Sequence, residues 1–284
     1  MNPLLAVVLG IIQGLTEFLP ISSTAHLTLA GKLLDLISVE HPEAWTEFIA
    51  VMQLGTLAAV ILFFRGEIVR MTRGFFNDFR TNGGGRGWPG YSADARMAIY
   101  ILIGTLPVAL IGFSLKHVIE GSLTKTTGVL AASLIGLALL LWLAEVVSKH
   151  ERTIERVTWL DALVIGCAQA LALIPGSSRS GTTITAGLFM GITREAAARF
   201  SFLLSIPAVL ASGIFELMRI DDGVFQLGLG NLLISTVVSG ITGYAAITWL
   251  LRYLMKHTTM VFVWYRLVLG ILLVVLLFSG LIEP

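Results

Sequence analysis

Charge is scarce in this 284-residue chain: Asp, Glu, Lys and Arg together make up 13% of it, against roughly 25% in a soluble domain. Hydrophobic residues make up 56%, and the mean hydropathy is +0.86. So little polar surface cannot cover a globule in water, which leaves lipid as the solvent. The net charge of +1 excludes the broad basic field that a nucleic-acid partner requires. The single cysteine, Cys167, excludes an internal disulfide framework. No His or Cys pair has zinc spacing, and neither a Walker loop nor a Gly-x-Gly-x-x-Gly run is present. The start, Met1-Asn2-Pro3, has no basic stretch and leads into Gln13 and Glu17, so no cleavable signal is expected.

What is present is long apolar runs. A membrane-spanning helix needs about 20 such residues to cross roughly 30 Å of hydrocarbon. Phe48–Phe64, Met97–Leu115, Thr127–Val147, Phe200–Met218, Asn231–Leu251 and Met260–Ile282 approach or meet that length. Pro107 and Pro207 interrupt two of them; neighbouring helices can satisfy the backbone groups that a proline frees. Two regions read differently. Leu4–Leu19 stops at Pro20, passes through Ser22-Ser23-Thr24-Ala25-His26 and resumes over Leu27–Leu36. Trp159–Ile174 stops at Pro175-Gly176, passes through Ser177-Ser178-Arg179-Ser180-Gly181 and resumes over Thr182–Gly191. Each piece is too short to span and each break is polar, the pattern of a re-entrant helical hairpin.

The two hairpins resemble each other. Gly10-x-x-Gln13 matches Gly166-x-x-Gln169, Pro20-x-Ser22-Ser23 matches Pro175-x-Ser177-Ser178, and Phe48 and Phe200 open the spans that follow. Each half, about 1–150 and 151–284, is then one hairpin plus three spans within a single membrane domain. Three crossings invert the second half. The expected fold is therefore an all-α polytopic membrane protein with an inverted repeat and broken helices meeting near the midplane, an architecture common among transporters.

Orientation follows from basic residues in the loops. One side receives Arg65, Arg70, Arg73, Arg80, Arg86, Arg96, Lys149, Arg152, Arg156, Arg194, Arg199, Arg252 and Lys256; the N-terminal side receives only Lys32, Lys116, Lys125 and Arg219. The basic side is cytoplasmic and both termini lie outside. The segment Arg65–Arg96, with Gly83-Gly84-Gly85, reads as a flexible cytoplasmic linker near anionic lipid.

An ionisable residue at membrane depth usually has a task and a partner. Glu17, His26 and Arg179 lie at the hairpin tips. Gln13 and Glu17 are four apart on one helical face. Ser22 or Ser23 can cap the helix after Pro20, and the spacing lets Ser22, Ser23 and His26 face one point. In the second tip Ser177 or Ser178 can cap, Arg179 lies in the first turn and Thr183 falls on its face. A helix N-terminus binds phosphate through its free N–H groups and dipole, and arginine adds a planar fork matched to phosphate oxygens. Two tips brought together make a site for a phosphorylated substrate and proton transfer. Simpler roles exist for each group: plain caps for the serines, a neutralising Glu17–Arg179 pair, a structural His26, a supporting Gln13. Arg266, in the last span, reads as structural, with Glu216 as a candidate partner; Asp161 and Glu145 read as interfacial.

The run Gln13-Gly14-Leu15-Thr16-Glu17-Phe18-Leu19-Pro20-Ile21-Ser22-Ser23-Thr24-Ala25-His26 resembles the N-terminal (Glu/Gln)-x-x-x-Glu motif of the bacterial undecaprenyl-diphosphate phosphatases, also called bacitracin resistance proteins. Pro175-Gly176-Ser177-Ser178-Arg179-Ser180-Gly181 resembles that family's Pro-Gly-x-Ser-Arg-Ser-Gly signature, and Arg194–Leu204 resembles the stretch after it. The first motif position, which may be Glu in the family, is Gln13 here and offers no carboxylate. The resemblance implies an enzyme of the bacterial inner (cytoplasmic) membrane. It implies removal of the terminal phosphate of undecaprenyl diphosphate, assisted by a divalent cation such as Mg²⁺ or Ca²⁺, in a site open to the outer leaflet. It implies catalytic roles for Glu17, Ser23, His26 and Arg179, with Glu17 as base or metal ligand, and a phosphate shell of Ser22, Ser178, Ser180 and Thr183. For the nucleophile, Ser23 activated by His26 or Glu17 is favoured; His26 and a metal-bound water are the alternatives. The expected partners are the polyprenyl diphosphate lipid and the bilayer, with a second copy of the chain as a candidate. The rival from another class is a polyprenyl-phosphate transporter using the same anion site, which needs Arg179 and the helix ends but no nucleophile.

Overall fold

A computed structural model describes residues 1–37, 42–82, 90–114, 126–218 and 228–282. Among these the chain forms eleven α-helices: α1 (Pro3–Phe18), α2 (Ser23–Leu33), α3 (Pro42–Phe63), α4 (Arg65–Asn82), α5 (Ala93–Ser114), α6 (Thr127–Val147), α7 (Trp159–Ala170), α8 (Arg179–Phe189), α9 (Arg194–Leu217), α10 (Leu229–Leu254) and α11 (Met260–Phe278). Six are long and apolar enough to cross a membrane: α3 from Trp45, α5, α6, α9, α10 and α11. They coincide with the six apolar runs of the sequence. Gly83–Gly85, Arg86, Lys116, Lys125 and Arg219, used above for the linker and for orientation, lie outside the described residues.

The helices pair in a pattern that survives exchange of the two halves. The third spans pack on each other, α6 on α11, and the first spans likewise, α3 on α9. Crossed contacts join the halves as well: α1 and α3 pack on α10, and α7 packs on α5, while α4 packs on α5 within the first half. The first helix of each hairpin thus lies against the middle span of the opposite half. Glycine makes both of these hairpin contacts close. A Cβ on Gly10 would stand 2.6 Å from the Ser235 carbonyl, and one on Gly166 would stand 2.2 Å from the Gly104 carbonyl. Small residues let helix backbones approach where lipid supplies no hydrophobic drive between helices. Gly166→Ala is expected to force α5 and α7 apart at a cost of about 1–3 kcal/mol, read as a lowered thermal midpoint of the purified protein. Gly136, which faces open space, is the control and should tolerate alanine.

One expectation is corrected. Arg65–Asn82, read from its arginines as part of a flexible linker, is the helix α4 packed along α5. Ile68 and Met71 turn into the main core, Glu67 opens the first turn beside the Arg199 guanidinium, and Arg80 closes the last turn. The charge count hid a helical apolar period.

The ends of the spans away from the hairpin tips are joined by ion pairs. Glu145 on α6 accepts from Arg194 Nε at 2.6 Å and from the Thr259 amide and hydroxyl at 3.2 and 2.7 Å, placing a carboxylate at the N-terminus of α11 where the helix dipole favours it. Asp161 sits in the capping box that starts α7 and also takes both terminal nitrogens of Arg152, at 2.8 and 2.5 Å. Both acids, read from sequence as interfacial, are network centres.

Candidate active site

The two hairpin tips are built alike. Helix α1 ends at Phe18, α2 begins at Ser23, and Ser22 caps it with φ 75° and ψ 97°, its Oγ accepting from the Ala25 amide at 3.3 Å. Helix α7 runs into a short 3₁₀ turn, Leu171–Leu173. Ser178 then caps α8 with φ 68° and ψ 113°, accepting from the Gly181 amide at 3.2 Å. Side chains rarely hold positive φ, and residues that do so cluster at functional sites. Here the same costly turn occurs at both tips, and it lets each cap follow directly on a chain reversal.

Between the tips stands one carboxylate. Glu17 is buried and fully engaged. Its Oε2 accepts from Ser23 Oγ at 2.6 Å and from Gln13 Nε2 at 2.9 Å, while Oε1 accepts from the Arg179 guanidinium. Arg179 joins the two halves, since it opens α8 and bonds a residue of α1. Glu17, Ser22, Ser23, Ser178 and Arg179 all border one cavity of about 650 Å³. Its wall beyond the tips is largely apolar: Val108, Ala109 and Phe113 from α5, Leu173 and Ile174 from the second hairpin, Pro207, Ala211 and Phe215 from α9. A polar floor and greasy walls suit an amphiphile whose head group is anionic.

The other residues singled out from sequence take different places. His26 does not meet Ser23: its Nδ1 lies 2.7 Å from the Ser22 carbonyl and its Nε2 2.5 Å from the Tyr265 hydroxyl, with the two rings stacked. Ser180 donates to the Leu19 carbonyl at 3.0 Å, tying the second tip to the first. Thr183 is buried against α9, 2.6 Å from Ser201 Oγ, and donates to the Arg179 carbonyl at 2.7 Å. Neither Ser180 nor Thr183 borders the cavity. Gln13 supports Glu17 and lies behind it.

Arg266 proves to be a clamp, and it is not paired to Glu216. It is fully buried and donates to five backbone carbonyls, each at 3.2 Å: Pro20 in the first tip, Gly176 and Ser177 in the second, Ser133 and Leu134 in α6. One guanidinium fork holds both tips to one span. The sequence signal was an arginine inside the most apolar run of the chain; its partners, being backbone, leave no mark in the sequence.

The donor set also bears on metal binding. Mg²⁺ and Ca²⁺ take six or more oxygens. Among the described residues no three His, Cys, Asp or Glu side chains come together as ligands, and both oxygens of Glu17 are taken by hydrogen-bond donors. These residues do not fit a resident metal centre.

The family model described as "Bacitracin resistance protein BacA" matches residues 6–272. Among curated proteins, one from Syntrophobacter fumaroxidans called undecaprenyl-diphosphatase is 54% identical over 272 residues, covering 95% of each chain. A protein of the same name from Myxococcus xanthus is 48% identical over 284 residues, covering 100% of this chain and 92% of its own. Another, from Chloroherpeton thalassium, is 47% identical and covers 100% and 99%.

Proposed function

Because the chain belongs to the bacitracin resistance protein BacA family, we propose that its cavity is the active site of an undecaprenyl-diphosphate phosphatase. The substrate is the lipid diphosphate; the products are undecaprenyl phosphate and inorganic phosphate. One contact carries the assignment of residues: the Ser23 hydroxyl donating to Glu17 Oε2 at 2.6 Å, next to Arg179. A transporter needs an anion site but has no use for a hydroxyl held on a buried carboxylate.

The chemistry follows from the partners. Arriving diphosphate competes with Glu17 for Arg179, whose fork matches phosphate oxygens. Drawing the guanidinium onto substrate releases Glu17 Oε1 while Oε2 keeps the Ser23 proton in reach. Glu17 takes that proton as Ser23 Oγ attacks the terminal phosphorus. The bond from that phosphorus to the bridging oxygen breaks, and the proton passes from Glu17 to the departing undecaprenyl phosphate. Water then attacks the phosphoserine, giving one proton to Glu17, which returns it to Ser23 Oγ as inorganic phosphate leaves. Arg179 and the amide-rich starts of α2 and α8 hold the charge on the transferring group, the main demand of phosphoryl transfer. His26 acts at one remove, fixing the Ser22 turn from behind.

The crossed pairing of helices and the twin serine caps support an inverted repeat with re-entrant hairpins at 1–150 and 151–284. With the basic loop residues cytoplasmic, the tips enter from the outside face of the bacterial inner membrane, both termini lie outside and the cavity serves the outer leaflet.

The test is phosphate release from undecaprenyl diphosphate by the purified protein in detergent. Wild type should release phosphate, and Arg179→Ala should reduce the rate by about 10³-fold or more, the scale of a lost transition-state arginine. A well-folded wild type that releases none removes the phosphatase assignment and moves transport to first place.

A further inference from the structure

Gln169 ends the last turn of α7 and is 1% exposed. Neither its Nε2 nor its Oε1 has a hydrogen-bond partner, and the residue borders the cavity that holds Ser23, Glu17 and Arg179. Several buried side-chain atoms among the described residues lack a partner, but of these residues Gln169 alone borders that cavity. The large majority of buried side-chain polar atoms have a hydrogen-bond partner, so an orphan on the wall of a site asks what completes it.

The first half of the chain shows what this position does when its partner is present. Gln13 occupies the matching place in α1 and donates to Glu17, one helical turn on, at 2.9 Å. One turn on from Gln169 stands Leu173, which accepts nothing. The second hairpin thus keeps the glutamine and lacks the carboxylate. The nearby polar groups are committed elsewhere: Ser22 and Ser178 cap their helices, Ser23 and Arg179 hold Glu17. Gln169 is the fully buried side chain without a partner on the wall of that cavity.

We propose that the Gln169 amide is a diphosphate-binding group, its Nε2 donating to a phosphate oxygen of the substrate. An amide suits that place. It offers two N–H bonds to an anion without adding a second positive charge to compete with Arg179 for Glu17. It also leaves a carbonyl, Oε1, for a hydroxyl or water beside the phosphate. This assignment rests on the phosphatase reading for the identity of the ligand, so its test needs a measurement independent of turnover.

Gln169→Leu keeps the shape and deletes both polar groups. Two quantities separate binding from structure: KM for undecaprenyl diphosphate, and the calorimetric affinity for methylenediphosphonate, which carries the head-group chemistry and is not hydrolysed. Losing a hydrogen bond to a charged acceptor should raise KM and weaken diphosphonate binding alike, each by about ten- to a hundredfold. The thermal midpoint should stay at or above that of wild type, because no native hydrogen bond is lost. Gln169→Glu should weaken both further, since it sets a carboxylate against the diphosphate. An unchanged KM and unchanged diphosphonate affinity, with a lowered midpoint, would make Gln169 structural and overturn the proposal while the phosphatase stands. A fall in kcat alone, with binding intact, overturns it too. If wild type hydrolyses nothing, the phosphatase reading fails, and the calorimetry still decides: weaker binding in Gln169→Leu keeps the amide as a diphosphate ligand, equal binding removes it.

Discussion

Ser23→Ala is expected to lower kcat for phosphate release by on the order of 10⁴-fold or more, the scale of deleting a nucleophile. Glu17→Gln should cost about 10²–10⁴-fold, the scale of a lost general base. The combination is more informative than either. Ser23 Oγ and Glu17 Oε2 are 2.6 Å apart and serve one proton, so they act as a unit. The double variant should be no slower than Ser23→Ala alone, because a base without its nucleophile has nothing to deprotonate. Multiplying losses would mean that Glu17 activates something else. A Ser23→Ala enzyme near wild-type rate would place the attack on water, with Glu17 as its base. KM separates a further effect. Glu17→Gln frees Arg179 from its carboxylate, so the diphosphate no longer competes for the guanidinium; KM should fall or hold as kcat drops. A rise in KM would show that Glu17 itself holds the substrate.

The spans and the breaks were legible because they rest on local signals. Six apolar runs of the required length became six helices, and Pro20 and Pro175-Gly176 ended the short ones where a proline and a flexible turn must. The twin caps were half legible: the serines announced them, but the choice of Ser22 and Ser178 over their neighbours depends on positive φ, which no sequence pattern states. What failed to show lies in long-range partners. His26 reaches Tyr265 across most of the chain, and Thr183 turns to Ser201 on a different helix, so helical spacing alone did not give either side chain's partner. Helix α4 was missed because its arginines outweighed Ile68 and Met71. The Gln169 signal was there to read, as a repeat in which the glutamine persists and the glutamate becomes leucine.

Arg266 carries the other large expected effect. Arg266→Leu should lower stability by at least about 3 kcal/mol and abolish phosphate release. Removing the guanidinium leaves the carbonyls of Pro20, Gly176 and Ser177 buried without their donor, and these are the turns that aim Ser23 and Arg179. Each unsatisfied group costs about 1–3 kcal/mol, and the carbonyls of Ser133 and Leu134, inside α6, share the loss. Arg266→Lys keeps the charge but not the fork. Its three donors radiate from one atom and cannot reach both tips and α6 from a planar spread, so the variant should fold with a lower thermal midpoint and turn over slowly. The ranking, Arg then Lys then Leu, should be the same for midpoint and for kcat, because one geometric cause moves both. KM should change less than kcat in Arg266→Lys, since the cavity walls from α5 and α9 remain while the tips lose their register. A variant that loses activity at an unchanged midpoint would instead put Arg266 in contact with the substrate. Unchanged midpoint and rate in Arg266→Leu would remove the clamp.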